Sequence, residues 1–190
     1  MIKQHHFIGL GSGGSSALMY FYSRGVKGSF TAITEPGRPD LPAKIRLIPF
    51  ISPKLPPLGR KHLYYPPDMK HPLFMPEGIS TIFNGDERYV LLAGLGHYTG
   101  TKLAEALSLQ LHQDKRDFVT LCSVPFSWEG RAYNTYARNA ITTLQAIPGF
   151  NFFELDSLRE MYDDLLLSEA FDKADELFYS VFENILPKDR

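Results

Sequence analysis

Twice in this chain an apolar run meets a cluster of glycines, and the glycines lead into an apolar-periodic segment. The first instance, "HFIGLGSGGSSALMYFYSRG", lies near the N-terminus, and the second, "RYVLLAGLGHYTGTKLAEAL", lies mid-chain. No other feature limits the fold as strongly. A buried strand that turns at glycine into a helix is half of a βαβ unit, and it needs neighbouring strands to bury against. The turn also has a chemical use. Backbone N–H groups at a helix N-terminus lack partners and carry partial positive charge, so they suit phosphate, and glycine lets a ligand come close to them.

Gly9, Gly11 and Gly14 of the first instance complete a G-x-G-x-x-G. Glu35 follows the next strand-like run, near where a dinucleotide fold keeps its ribose acid. On these residues alone the chain is an NAD-binding oxidoreductase or merely has a tight, ligand-free turn, because a lone glycine fingerprint is weak. The second instance, with Gly94, Gly96, Thr99, Gly100 and Thr101, shifts the balance. A dinucleotide fold needs one such loop, whereas two aimed at one place suit a phosphate chain gripped from two sides.

The rest of the chain keeps the alternation. Strands are predicted over 6–9, over "SFTAIT" at 29–34, and in "RYVLLAG", "DFVTLCSV" and "NFFEL". Helices are predicted over 16–24, closed by Gly25, over 101–113 and over 131–146. In the last of these, Tyr133, Tyr136, Ala137, Ala140, Ile141 and Leu144 recur at helical spacing. Ser157 and Glu160 have capping-box spacing and open a helical stretch that runs, with a break near Ser168, to Leu186. The expected class is an α/β three-layer sandwich with a mostly parallel sheet. Segment 36–76 interrupts the rhythm with eleven of the fourteen prolines. It reads as a surface insertion holding one strand, "KIRLIPF".

Composition excludes several classes. A net charge of −1 without a long basic block argues against nucleic acid. No apolar run is long enough to span a membrane. The single cysteine, Cys122, cannot form an internal disulfide and fits a reducing compartment, so the expected location is cytoplasmic. His5 and His6 have no partners at metal spacing and read as a polar strand edge.

Four motifs, in order along nearly the whole chain, resemble the N-terminal GTPase domain of the FtsZ/tubulin superfamily, FtsZ more than tubulin. "GLGSGGSSA", a helix and "GVKGSFTAITEP" correspond to the family's first glycine loop, its helix and the strand beyond that helix. "AGLGHYTGTK" stands for the glycine-threonine loop, "PFSWEGR" at 125–131 for P-F-x-F-E-G-R, and "AFDKAD" at 170–175 for the central-helix motif. The resemblance implies a guanine nucleotide, GTP or GDP, with magnesium accompanying GTP. It implies phosphate contacts from Gly11, Ser12, Gly13 and Gly14, and from Gly96, Thr99, Gly100 and Thr101. Ser16 stands where the family has an asparagine at the base edge. Glu129 corresponds to a ribose acid, Phe171 to the aromatic on the guanine ring, and Asp175 to the acid that reads the guanine edge. Phe171 and Asp175 are four apart and share a helix face.

The departures concentrate at the phosphate end. His97, Tyr98 and Lys102 replace glycines of the second loop, and Tyr133 replaces a cation. Thr34, Glu35 and Pro36 replace N-T-D, a further phosphate loop after the third strand is missing, and Leu155 or Asp156 stands near a family asparagine. The chain also ends at "NILPKDR", where the family continues into an acidic loop and a second domain. The expectation is a single domain over 1–190 that binds nucleotide with weak or no GTPase activity of its own and carries no catalytic residue. Its partners would be the nucleotide and a complete FtsZ-like protein. The alternative is a nucleotide-free interaction module, which the eroded loop favours.

Overall fold

A computed structural model describes residues 3–36, 41–51, 73, 75–162 and 166–185. The elements run β1 (His5–Leu10), α1 (Gly11–Ser23), β2 (Ser29–Thr34), β3 (Arg46–Pro49), β4 (Arg88–Gly94), α2 (Tyr98–Gln113), β5 (Phe118–Val124), α3 (Arg131–Leu144), β6 (Phe150–Glu154), α4 (Ser157–Met161) and α5 (Leu167–Ile185). Short 3-10 turns occupy Ile79–Thr81 and Ser127–Glu129. The six strands form one sheet in the order β3-β2-β1-β4-β5-β6, and every pairing is parallel. The mostly parallel sheet expected from the sequence is therefore wholly parallel among the described residues.

Each inner strand distributes its side chains between two cores, because successive residues point to opposite faces. Phe7, Phe30, Ala32, Val90, Leu92 and Leu121 face one layer, where they meet Leu18 and Phe21 of α1 and Phe178 and Phe182 of α5. Ile8, Leu10, Ile33, Leu91 and Ala93 face the other, where α2 and α3 supply Leu103, Leu107, Ala137 and Ile141. The first layer is aromatic. Phe7 touches Phe21, Phe30 and Phe182 at centroid distances of 5.6, 5.3 and 5.4 Å. Truncating a fully buried ring such as Phe21 removes about 3–5 kcal/mol.

Several local expectations change. The helix predicted over 16–24 begins at Gly11, directly after β1. Its glycines read as loop on propensity, but they let the first turn lie against the sheet. A Cβ on Gly14 would run into the Leu92 carbonyl oxygen, and one on Gly9 would sit 2.6 Å from the Gly14 oxygen. The helix predicted over 101–113 begins at Tyr98. The one predicted over 131–146 ends at Leu144, and the last strand is shifted one residue earlier than "NFFEL".

The Ser157–Glu160 capping box does not form. Asp156 is the residue before α4, and Ser157 Oγ instead donates to the Glu154 carbonyl at 2.6 Å. The helix break falls before Leu167 rather than near Ser168, and Leu186 lies outside the described residues. "KIRLIPF" contains β3, on the sheet edge, where Pro49 costs no interior ladder bond. The remainder of the proline-rich segment at 37–40, 52–72 and 74, which includes the region where a phosphate loop after the third strand would lie, is outside the described residues.

The histidine pair is not at a sheet edge, because β1 is a central strand. His6 is buried, with Nδ1 3.0 Å from Glu87 Oε2 and Nε2 2.9 Å from Thr31 Oγ1. Burial holds its pKa below the ordinary histidine value, opposed by Glu87 and assisted by Arg46.

Candidate functional site

In an open parallel sheet the ligand crevice lies beyond the carboxyl ends of the strands, where the strand order reverses. Here that point lies between β1 and β4, and the two glycine turns are the segments that leave those strands. They converge. A Cβ on Gly11, whose φ is +67°, would sit 2.8 Å from the Gly100 nitrogen, and one on Gly13 would sit 3.4 Å from the Gly94 Cα. The N-termini of α1 and α2 thus lie side by side.

Neither end is neutralised from within. No side chain caps α1 or α2, and no acid stands in the first turn of either helix. In an ordinary helix a Ser, Thr, Asp or Asn occupies the cap and satisfies a first-turn N–H. Here Leu10 and His97 stand in that position. Two uncapped, acid-free helix ends in contact concentrate partial positive charge and unpaired donors in one place, an arrangement that fits a phosphate chain. Ser12 and Gly13 are exposed and Thr99 is half-buried at this end, whereas Gly14, Gly100 and Thr101 are buried. The Thr101 hydroxyl accepts the Gly96 N–H at 3.0 Å, which braces the turn from inside. Gly96 itself has φ +98°, and a Cβ there would meet Pro125 Cγ at 2.9 Å.

The second half of the site comes from α5. Ala170 and Ala174 pack into a small core with Phe126, Leu155 and Leu158, which turns Phe171 and Asp175 outward on the next face. Phe171 is 54% exposed and meets Phe126 edge-on at 6.4 Å. Ser16 Oγ donates to Asp175 Oδ2 at 2.8 Å, so two residues assigned separately to the base edge are joined. Ser16 is four residues beyond Ser12, so this pair sits about 6 Å along α1 from its open end.

Between the halves lies the 3-10 turn. Phe126 N–H donates to Glu129 Oε1 at 2.8 Å, and Glu129 Oε2 is 3.8 Å from His97 Nε2. The His97 ring stacks on Tyr133 with centroids 4.4 Å apart, so two of the departures from the FtsZ pattern pack against each other. Lys102 is 3.8 Å from Glu105, whose pKa is raised by burial against the pull of that lysine. Burial likewise raises Tyr98 and Tyr136. Asp156 accepts the Ser127 N–H at 3.1 Å and fixes the turn from below. Glu35 stands exposed just past β2. Among the described residues no group of three or more His, Cys, Asp or Glu is placed to hold a metal ion, and no helix is long and apolar enough to cross a membrane.

No protein-family model and no curated protein matches the sequence. Solved structures do match in shape. An empty FtsZ dimer from M. jannaschii superposes with a TM-score of 0.72 at 19% identity, covering 100% of this chain and 57% of that one. The chain has the FtsZ/tubulin nucleotide-binding-domain fold. The GTPγS-bound protofilament of CetZ2 from Haloferax volcanii gives 0.62 at 18% identity over 92% of this chain and 55% of that one. The GDP-bound CetZ1 monomer from the same organism gives 0.61 at 17% identity over 97% and 62%. The chain therefore spans between half and two thirds of the length of these FtsZ-type structures.

Sequence reasoning missed three contacts at this candidate site: the His97–Tyr133 stack, the Ser16–Asp175 bond, and the Trp128 ring, stacked on Phe126 at 5.0 Å and exposed beside the site. The "PFSW" aromatics were a legible signal for the last. The first two join residues far apart in sequence, and nothing local announces them.

Proposed function

We propose that this protein binds guanine nucleotide, GDP or GTP, at the meeting point of α1, α2 and α5. The observation that carries the reading is the pair of uncapped, acid-free helix N-termini in contact at the sheet's reversal point. The backbone N–H groups of Ser12, Gly13 and Thr99 would hold phosphates, with Gly11, Gly14, Gly96, Gly100 and Thr101 shaping the cradle. Phe171 would lie on the base, and Asp175 with Ser16 would read its edge, since a carboxylate accepts from the N1 and N2 hydrogens of guanine but meets an acceptor at N1 of adenine. Glu129 borders the ribose position. Two structures of the same fold, the CetZ1 monomer and the CetZ2 protofilament, hold GDP and GTPγS, and that supports the ligand class. His97 and Tyr133 fill space at the phosphate end, so GDP is expected to bind within tenfold of GTP, about 1.4 kcal/mol. Magnesium would enter with GTP. A link to cell division or filament regulation, through self-association or a complete FtsZ-like partner, is the corresponding biological setting, and the cytoplasm its place.

The test is titration of the purified protein with GDP, GTP and ATP. Guanine nucleotides are expected to bind more tightly than ATP. Asp175→Ala is expected to erase about 1–3 kcal/mol of that preference, the value of a hydrogen bond to a charged group. Equal curves for GTP and ATP defeat the reading. Absence of all binding favours the interaction-module alternative, and tight binding of NAD with loss in Glu35→Ala favours the dinucleotide one.

A further inference from the structure

Residue 97 places a side chain at the mouth of the site, and that side chain is held on two sides. The His97 imidazole is 60% exposed, with Nε2 3.8 Å from Glu129 Oε2. Its ring lies on Tyr133 at 4.4 Å with planes 28° apart. Glu129 is itself anchored, because its other oxygen accepts the Phe126 N–H. The backbone of His97 is the N-cap of α2, whose open end lies against the open end of α1.

We infer that His97 is a proton-dependent contact for the terminal phosphate of the nucleotide, with Tyr133 and Glu129 positioning its ring. The inference rests on the binding reading above. A ring whose Nε2–H turns toward Glu129 carries a lone pair at Nδ1 when neutral and an N–H when protonated. The lone pair repels a phosphate oxygen, whereas the N–H donates a charge-assisted hydrogen bond to it. Imidazole is the side chain that changes between these states across pH 5–8. The titratable groups facing the ring are Glu129 from the 3-10 turn and Tyr133 from α3. Lys102, the next cation along α2, is paired with Glu105.

The experiment compares GDP with guanosine, which lacks phosphate, at about pH 6 and about pH 8, for the unmodified protein, His97→Gln and His97→Lys. In the unmodified protein the advantage of GDP over guanosine is expected to fall about fivefold or more between the two pH values, relative to His97→Gln. That difference cancels the ionisation of the GDP phosphate itself, which occurs near the same pH. Relative to His97→Gln, His97→Lys is expected to keep the same advantage at both pH values, and Tyr133→Leu to give a shallower profile than the unmodified protein. Superimposable profiles for the unmodified protein and His97→Gln overturn the inference and leave nucleotide binding standing, as does a His97→Lys advantage that changes with pH relative to His97→Gln. No GDP binding at any pH overturns the binding reading and this inference together.

Discussion

The two glycine turns look alike in sequence and differ in what their glycines do. In the first, β1 runs into α1 without a connecting residue, and Gly9 and Gly14 are dictated by the close approach of helix to sheet. In the second, Leu95, Gly96 and His97 separate β4 from α2. There Gly96 is needed for its left-handed backbone, and the Thr101 hydroxyl holds the turn shut. The first turn is fixed by packing against backbone and by the left-handed Gly11, whose φ is +67°. The second shares such packing at Gly100, whose Cβ would sit 2.5 Å from the Gly94 carbonyl oxygen, but it adds a brace by the Thr101 hydroxyl and carries a ring, His97, at its mouth. A glycine fingerprint is therefore partly a packing pattern, and the ligand-facing share of it must be found residue by residue.

The sharpest way to break this comparison lies within the first turn. Gly14→Ala is expected to destabilise by about 3 kcal/mol or more, because the new methyl meets the Leu92 carbonyl and neither backbone can yield. Gly13→Ala, on the same turn but with its new methyl 3.4 Å from the Gly94 Cα, is expected to be neutral or to gain up to about 1 kcal/mol of helix propensity. Urea denaturation of the two variants decides it, and similar losses in both would mean that the turn is not packed as described. In the second turn, Gly96→Ala is expected to lose about 2 kcal/mol from its positive φ and the Pro125 contact. Thr101→Val, which strands a buried N–H, is expected to lose about 1–2 kcal/mol. Thermal melts would check both. A Thr101→Val protein as stable as the parent would show that the Gly96 N–H finds another acceptor.

The half of the site on α5, proposed for the base, was easier to read than the half at the two glycine turns, and the reason is geometric. Phe171 and Asp175 lie on one helix at a spacing of four, so their shared face comes from helical periodicity alone. The flanking Ala170 and Ala174 announce which face is buried. The other half depends on where two separate turns sit, and on whether a hydroxyl points in or out. Thr101 reads equally well as a ligand or as a brace until Gly96 is seen beside it. His97 and Tyr133 are 36 positions apart, and their stacking arises only because α3 packs beside α2.

By itself the sequence determined the layered α/β class, the near-positions of all six strands, and the two places where a strand turns through glycine into a helix. These come from periodicity and local backbone preference, which act over a few residues. Helix starts were misplaced because glycine's low propensity is a local signal, and the helix at Gly11 is instead held by contact with β4. Tertiary structure decided the strand order, the burial of His6 in a central strand, the joining of Ser16 to Asp175 across 159 positions, and the meeting of two open helix ends. Each of these depends on which distant segments pack together. That choice is made by burial summed over the whole core, and no single stretch of the chain contains it.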